Sequence, residues 1–192
     1  MEAFLVATGV VALGEIGDKT QLLALLLAAR YRRPGTICLG ILVATLANHA
    51  AAAALGDWLT RVLDPTWLRW GLGLSFLAVA AWMLVPDRMD DDADALSTGR
   101  WGVFGLTVVA FFLAEMGDKT QIATVMLAAR YHALVSVTAG TTLGMMIANV
   151  PAVLLGERAT RVVPMQVVHR IGAAVFAVLG IVVLVGGVHA PV

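Results

Sequence analysis

Long apolar stretches alternate with short polar breaks along the whole chain. A bilayer core about 30 Å thick is crossed by about 20 mostly apolar residues in helical form. Six stretches meet that length once two acidic motifs are allowed inside them: residues 3–29, 36–56, 67–86, 102–129, 134–155 and 166–188. Turn residues punctuate the gaps, at Arg32-Arg33-Pro34-Gly35, Asp64-Pro65, Pro86-Asp87 and Pro164. Trp58, Trp67, Trp70 and Trp101 fall at span ends, where an amphipathic ring prefers the headgroup level, while Trp82 lies deeper and reads as a packing residue. The N-terminal run has no basic n-region and leads into charges, not into a small-residue cleavage site, so it reads as the first span.

The pattern repeats. At an offset of 100 residues, EIGDKTQLLALLLAARY (15–31) matches EMGDKTQIATVMLAARY (115–131) at 11 of 17 positions. The correspondence runs on through Gly40/Gly140, Gly56-Asp57/Gly156-Glu157 and Thr60-Arg61/Thr160-Arg161, and Asn48 meets Asn149 after a one-residue slip. The expected organisation is a first three-helix repeat over 1–86, an acidic cytoplasmic linker over 87–100 and a second repeat over 101–192. Each repeat holds an odd number of spans, so the second enters the membrane from the opposite side. The predicted fold class is therefore an all-α membrane protein, six transmembrane helices arranged as two inverted three-helix repeats. Arg30, Arg32, Arg33, Arg88, Arg100, Arg158, Arg161 and Arg170 fall on one side of the membrane and only Arg61, Arg69 and Arg130 on the other. The positive-inside rule makes the arginine-rich side cytoplasmic and turns both termini outward.

Composition supports the membrane reading and narrows the chemistry. The chain is 60% hydrophobic and 14% charged, with a mean hydropathy of +0.88; an ordinary soluble domain carries roughly 25% charged residues. Thirteen basic and thirteen acidic residues cancel, and no basic cluster interleaved with aromatics exists to hold nucleic acid. Cys38 is the only cysteine, which excludes an internal disulfide and a cysteine-based metal cage. Asp90, Asp92 and Asp94 imitate a calcium loop, but Ala95 stands where the turn glycine belongs and Trp101 where the bidentate glutamate belongs, so the segment reads as a solvated linker. No nucleophile–base pair or cofactor fingerprint points to an enzyme, and no resident cofactor is expected.

The two E-x-G-D-K-T-Q copies carry the chemistry. On a continuous helix, Glu15 and Asp18 lie about 60° apart around the axis and present both carboxylates on one face. Gln21 extends that face and Thr20 adds a hydroxyl; Glu115, Asp118, Gln121 and Thr120 repeat the set. Gly17 and Gly117 permit close helix approach or local unwinding. An Asp or Lys at the bilayer centre costs about 2.5 to 3.5 kcal/mol, so packing alone does not account for these residues. Internal pairing at i,i+4, Glu15 with Lys19 and Glu115 with Lys119, would absorb one acid per motif and leave Asp18 and Asp118 without a basic partner. Glu15, Asp18, Glu115 and Asp118 then form a hard-oxygen site suited to Mn²⁺, Ca²⁺ or Mg²⁺. Clustered carboxylates in a low dielectric do not all stay ionised without a cation, so losing metal favours gaining protons. That linkage is the basis of cation/proton exchange. Lys19 and Lys119 tune the charge, pair with an acid when no ion is bound, or snorkel outward.

Secondary polar candidates are Asn48 and Asn149, each mid-span, which either bond an adjacent helix or lend an oxygen to the ion. Thr45, His49, Thr141 and Thr142 lie nearby. His49 has no counterpart in the second copy, where Val150 follows Asn149, and is read as a helix–helix hydrogen bond. Gly140-xxx-Gly144 and Gly40-xxx-Ala44 read as close-packing faces. Met116, Met126, Met145 and Met146 read as packing.

At these residues the chain resembles a known family, the transmembrane manganese/calcium–proton exchangers with two E-x-G-D-[KR]-[ST] motifs. EIGDKT at 15–20 and EMGDKT at 115–120 match at every fixed position. The resemblance implies a six-helix fold with both motifs meeting at mid-membrane, and export of Mn²⁺ or Ca²⁺ from the cytoplasm in exchange for protons. The motif residues carry over to Glu15, Gly17, Asp18, Lys19 and Thr20, and to Glu115, Gly117, Asp118, Lys119 and Thr120. A short central loop and no targeting extension point to a bacterial inner membrane. The expected partners are the lipid bilayer, a divalent cation and protons. Two rival readings stay open, an exporter of cationic amino acids and a non-transporting membrane scaffold or assembly factor. Choice between Mn²⁺ and Ca²⁺, proton stoichiometry, direction of flux and oligomeric state are not fixed by the sequence.

Overall fold

A computed structural model describes residues 1–84, 102–155 and 165–186, with side chains of the last stretch from 167 on. Every regular element among them is an α-helix: α1 (Glu2–Glu15), α2 (Lys19–Tyr31), α3 (Pro34–Val62), α4 (Pro65–Trp82), α5 (Gly102–Glu115), α6 (Lys119–Tyr131), α7 (Leu134–Leu155) and α8 (Met165–Gly186). The acidic linker with Asp90, Asp92 and Asp94, the prolines at 86 and 164, and Trp101, Arg158 and Arg161 lie outside the described residues. Helices α3 and α7 and residues Val167–Gly186 of α8 are long and apolar enough to cross a membrane.

The stretches expected as continuous first and fourth spans are each two helices. Between α1 and α2 the chain leaves helical geometry at Ile16 (ψ 116°), turns through Gly17 at φ +85° and re-enters through Asp18, extended at φ −82°, ψ 168°. Gly117 (φ +76°) and Asp118 (φ −75°, ψ 163°) repeat the break between α5 and α6. The physical reason is local. Glycine enters the positive-φ region without a Cβ penalty, and aspartate is a strongly preferred helix N-cap. The expected common helix face for Glu15 and Asp18 is thus corrected: Glu15 ends one helix and Asp18 caps the next.

Helix α3 starts with Pro34 at its first position after Arg32, which ends α2 in the left-handed region at φ +52°. Helix α4 starts with Pro65 after Asp64, whose Oδ1 accepts from the Thr66 amide at 2.8 Å. The long helices pack reciprocally: α7 of the second half lies on α1 of the first, and α3 of the first half lies on α5 of the second. Small residues set both approaches. A Cβ on Gly140 would sit 2.5 Å from Phe4 O and one on Gly144 2.6 Å from Thr8 O, while one on Gly40 would meet Thr107 Cβ at 2.7 Å. Helices α4 and α8 pair through Gly73, Gly180 and the tilted rings of Phe76 and Phe176, 6.1 Å between centroids.

Two apolar cores flank the motif breaks. One gathers Val10, Phe76, Leu127 and Phe176; the other gathers Leu27, Ile37, Ile41 and Phe111. Trp58, Trp67 and Trp70 are exposed, as expected of interfacial rings, and Trp82 is exposed as well, contrary to its reading as a packing residue. Met126 and Met145 are buried, but Met116 is 57% exposed because it lies in the α5–α6 break and outside the helix packing.

Candidate cation site

The two helix breaks bring acids from both halves together. One carboxylate oxygen from each of Glu15, Asp18 and Asp118 lies within 4.8 Å of the others, and all three side chains are buried. Glu115, also fully buried, lies outside that trio, close enough for its charge to act on both aspartates. Three of the four expected acids therefore converge, and the fourth stands beside them.

The lysines cross between the halves. Lys119 Nζ donates to Asp18 Oδ1 in a buried charge-assisted hydrogen bond, and Lys19 Nζ lies 3.5 Å from Asp118 Oδ1. The expected i,i+4 pairs with Glu15 and Glu115 are corrected, because the break rotates each lysine off the face of its own glutamate. Each aspartate has a basic partner from the opposite copy. Lys119 is 3% exposed and Lys19 is 36% exposed. The glutamates take hydroxyls instead: Thr20 Oγ1 donates to Glu15 Oε2, and Thr45 Oγ1 donates to Glu115 Oε1 at 3.0 Å. Thr120 Oγ1 lies 3.4 Å from Asp118 Oδ2.

Gln21 and Gln121 do not extend an acidic face. They satisfy amides that the breaks release: Gln21 Oε1 accepts from Gly17 N at 3.0 Å, and Gln121 Oε1 accepts from Gly117 N at 2.7 Å. Their amide groups anchor each break to the long helix of the opposite half, Gln21 Nε2 donating to Ala148 O of α7 at 3.0 Å and Gln121 Nε2 to Asn48 Oδ1 of α3. Asn48 Nδ2 donates in turn to Phe112 O at 3.3 Å, which makes Asn48 a bridge between helices. Asn149 Nδ2 donates to Met145 O within its own helix, and Asn149 Oδ1 has no hydrogen-bond partner among the described residues.

His49 departs from its expected role. It is fully buried, yet neither ring nitrogen is hydrogen-bonded among the described residues. Sequence reasoning also missed His169, whose Nε2 donates to the freed Ile16 carbonyl at 3.2 Å. A signal existed: at the repeat offset His169 matches Arg69, so a polar side chain occupies the same register in both copies.

Buried acids crossed with lysines at paired helix breaks, in a largely apolar chain whose described elements are all helices, place the protein among membrane carriers of small cations. A family model described as "Divalent cation/proton antiporter GDT1" matches twice, over residues 3–91 and 103–191, and the chain belongs to this family. It is a multi-pass membrane transporter that exchanges a divalent cation for protons, not an enzyme. A Vibrio cholerae protein whose name proposes it as a manganese exporter is 48% identical over 182 residues, 94% of this chain and 90% of its own length. A GDT1-like protein of Synechocystis is 28% identical over 201 residues, 95% of this chain and 96% of its own. A GDT1-like protein of Oryza sativa is 26% identical over 91% of this chain and 70% of its own. No solved structure matches the chain.

Proposed function

We propose that the protein exports Mn²⁺ from a bacterial cytoplasm in exchange for protons, with Ca²⁺ as the alternative cargo. Its six spans form two inverted three-helix repeats in the inner membrane, over 1–86 and 101–192, joined by a cytoplasmic linker at 87–100 and with both termini outside. Two spans are broken at Gly17 and Gly117, and the reciprocal packing of α1 on α7 and α5 on α3 supports the inverted relation. The 48% identity to a relative named for manganese export favours that ion and that direction.

The observation that carries the reading is the convergence of Glu15, Asp18 and Asp118 within 4.8 Å, with Lys119 and Lys19 crossed onto the aspartates. Glu15, Asp18, Glu115 and Asp118 hold the cation, and all four are oxygen donors of the kind hard divalent ions take. An arriving ion competes with the two ammonium groups for the aspartates, so the lysines act as internal counter-ions that occupy the acids between loads. Protons moving the other way compete for the same carboxylates, which couples the two fluxes at one site. Thr20 and Thr120 hold the acids in place, while Gln21, Gln121 and Asn48 fix the breaks that carry them.

Reconstituted in liposomes with a proton gradient, the wild-type chain drives coupled Mn²⁺ or Ca²⁺ flux, and Asp18→Asn or Asp118→Asn abolishes it. Full flux in both variants would refute the site.

A further inference from the structure

Deepening the transport reading above and resting on it, we infer that His49 is a nitrogen ligand of a selectivity subsite, built with Glu115 and Thr45, that favours Mn²⁺ over Ca²⁺. His49 and Thr45 are four residues apart on α3 and so share one helix face, turned toward the end of α5 where Glu115 sits. Thr45 Oγ1 holds Glu115 Oε1 at 3.0 Å. The other carboxylate oxygen, Oε2, faces His49 Nε2 across 3.7 Å, and neither atom has a hydrogen-bond partner among the described residues.

Leaving two polar groups unsatisfied inside a protein is costly, about 1 to 3 kcal/mol each. A bare imidazole nitrogen and a bare carboxylate oxygen facing each other are a donor pair awaiting a shared electrophile. Two ligand atoms each about 2.1 Å from one small divalent ion are about 3.0 to 4.2 Å apart, depending on the angle between them. The observed 3.7 Å falls inside that range. Lengthening or shortening by side-chain rotation is not required.

Nitrogen changes which ion the site prefers. Ca²⁺ and Mg²⁺ take oxygen ligands almost exclusively, whereas Mn²⁺, though it binds nitrogen least strongly of the first-row divalent ions and is at home among oxygens, stands at the start of the series whose affinity for nitrogen donors exceeds that of Ca²⁺. The acidic trio of Glu15, Asp18 and Asp118 offers oxygen alone and is indifferent between Mn²⁺ and Ca²⁺ on ligand type. Among the described residues an imidazole faces the carboxylate of Glu115, while His169, near the first break, is turned to the Ile16 carbonyl; Val150 follows Asn149 in the second copy where His49 follows Asn48 in the first. Glu115's separation from the trio then has a purpose: it pairs with His49 to form the discriminating end of the site.

The full-length chain, wild type and His49→Gln, is assayed for Mn²⁺ and Ca²⁺ flux under the same proton gradient. The Mn²⁺-to-Ca²⁺ flux ratio falls about tenfold in the variant, a loss typical of disturbed metal coordination. In parallel, Mn²⁺-loaded wild-type protein is examined by electron spin-echo spectroscopy for imidazole nitrogen coupling, which is present in wild type and absent in His49→Gln. An unchanged flux ratio, or Mn²⁺ bound by wild type without nitrogen coupling, overturns the inference while leaving transport intact. If His49→Gln does not fold, the wild-type spectrum alone decides. Wild-type liposomes that move neither ion would instead remove the transport reading itself.

Discussion

The two motif copies are nearly identical in sequence and unlike in surroundings. The four acids are buried in both, but at the first the break is partly covered: His169 of α8 caps the Ile16 carbonyl, and Met83, just past α4, lies against Gly172 of α8. At the second, Met116 is 57% exposed and the hydrogen bond from Gly117 N to Gln121 is exposed. The lysines record the same difference in opposite sense, since each crosses to the other copy. Lys119 reaches into the covered side and is 3% exposed, while Lys19 is 36% exposed. A duplicated sequence has folded so that the backbone of the first break is partly buried and that of the second is exposed.

The largest expected break in this comparison comes from the lysines. Removing one partner of a buried ion pair costs about 3 to 5 kcal/mol; the Lys19–Asp118 pair, with a buried acid and a lysine 36% exposed, falls between that and the about 0 to 1 kcal/mol of an exposed pair. Lys119→Ala should therefore lower the thermal unfolding temperature in detergent more than Lys19→Ala. Equal losses would mean that the two sides are equally dry.

Helix contact gives the next effect. Ala44 stands on α3 where α7 has Gly144, and a Cβ at 144 would meet Thr8 O at 2.6 Å and Ala12 N at 2.9 Å, both backbone atoms that cannot rotate away. Gly144→Ala should destabilise by about 1 to 3 kcal/mol through overpacking, measured by the same unfolding assay. No loss would show that α1 can retreat from α7 without penalty.

The smallest difference lies in the glutamines that cap the breaks. A buried amide left unsatisfied costs about 1 to 3 kcal/mol, and one that water can reach costs less. Gly17 N is partly buried and Gly117 N is exposed. Hydrogen exchange at Gly17 in Gln21→Ala should accelerate from a protected baseline, while Gly117 in Gln121→Ala changes little. A reversed order would contradict the covered and open assignment.

Much of this protein was legible in its sequence because hydrophobic length and repetition are one-dimensional signals. Helix identity, the duplication and the burial of Glu15, Asp18, Glu115 and Asp118 within the bundle were readable from apolar runs interrupted twice by the same charged motif. Proline placement at Pro34 and Pro65 marked two helix starts for the same reason, whereas α3 runs on past Trp58 to Val62. Other features were not legible. A glycine and an aspartate inside an apolar run fit both a helix and a break, and only the positive φ of Gly17 and Gly117 decided between them.

Pairing across the molecule was set by tertiary structure alone. Sequence spacing assigns Lys19 to Glu15, but the break turns it away and the opposing motif brings Asp118 within reach. Likewise, nothing in the linear pattern separates Glu115 from the acidic trio or sets His49 in front of it. Local chemistry along a chain fixes what each segment can form, because backbone preferences and burial energies act residue by residue. Which charges meet depends on the approach of segments about one hundred residues apart, and a duplicated sequence, being the same in both halves, holds no information about how those halves come to differ.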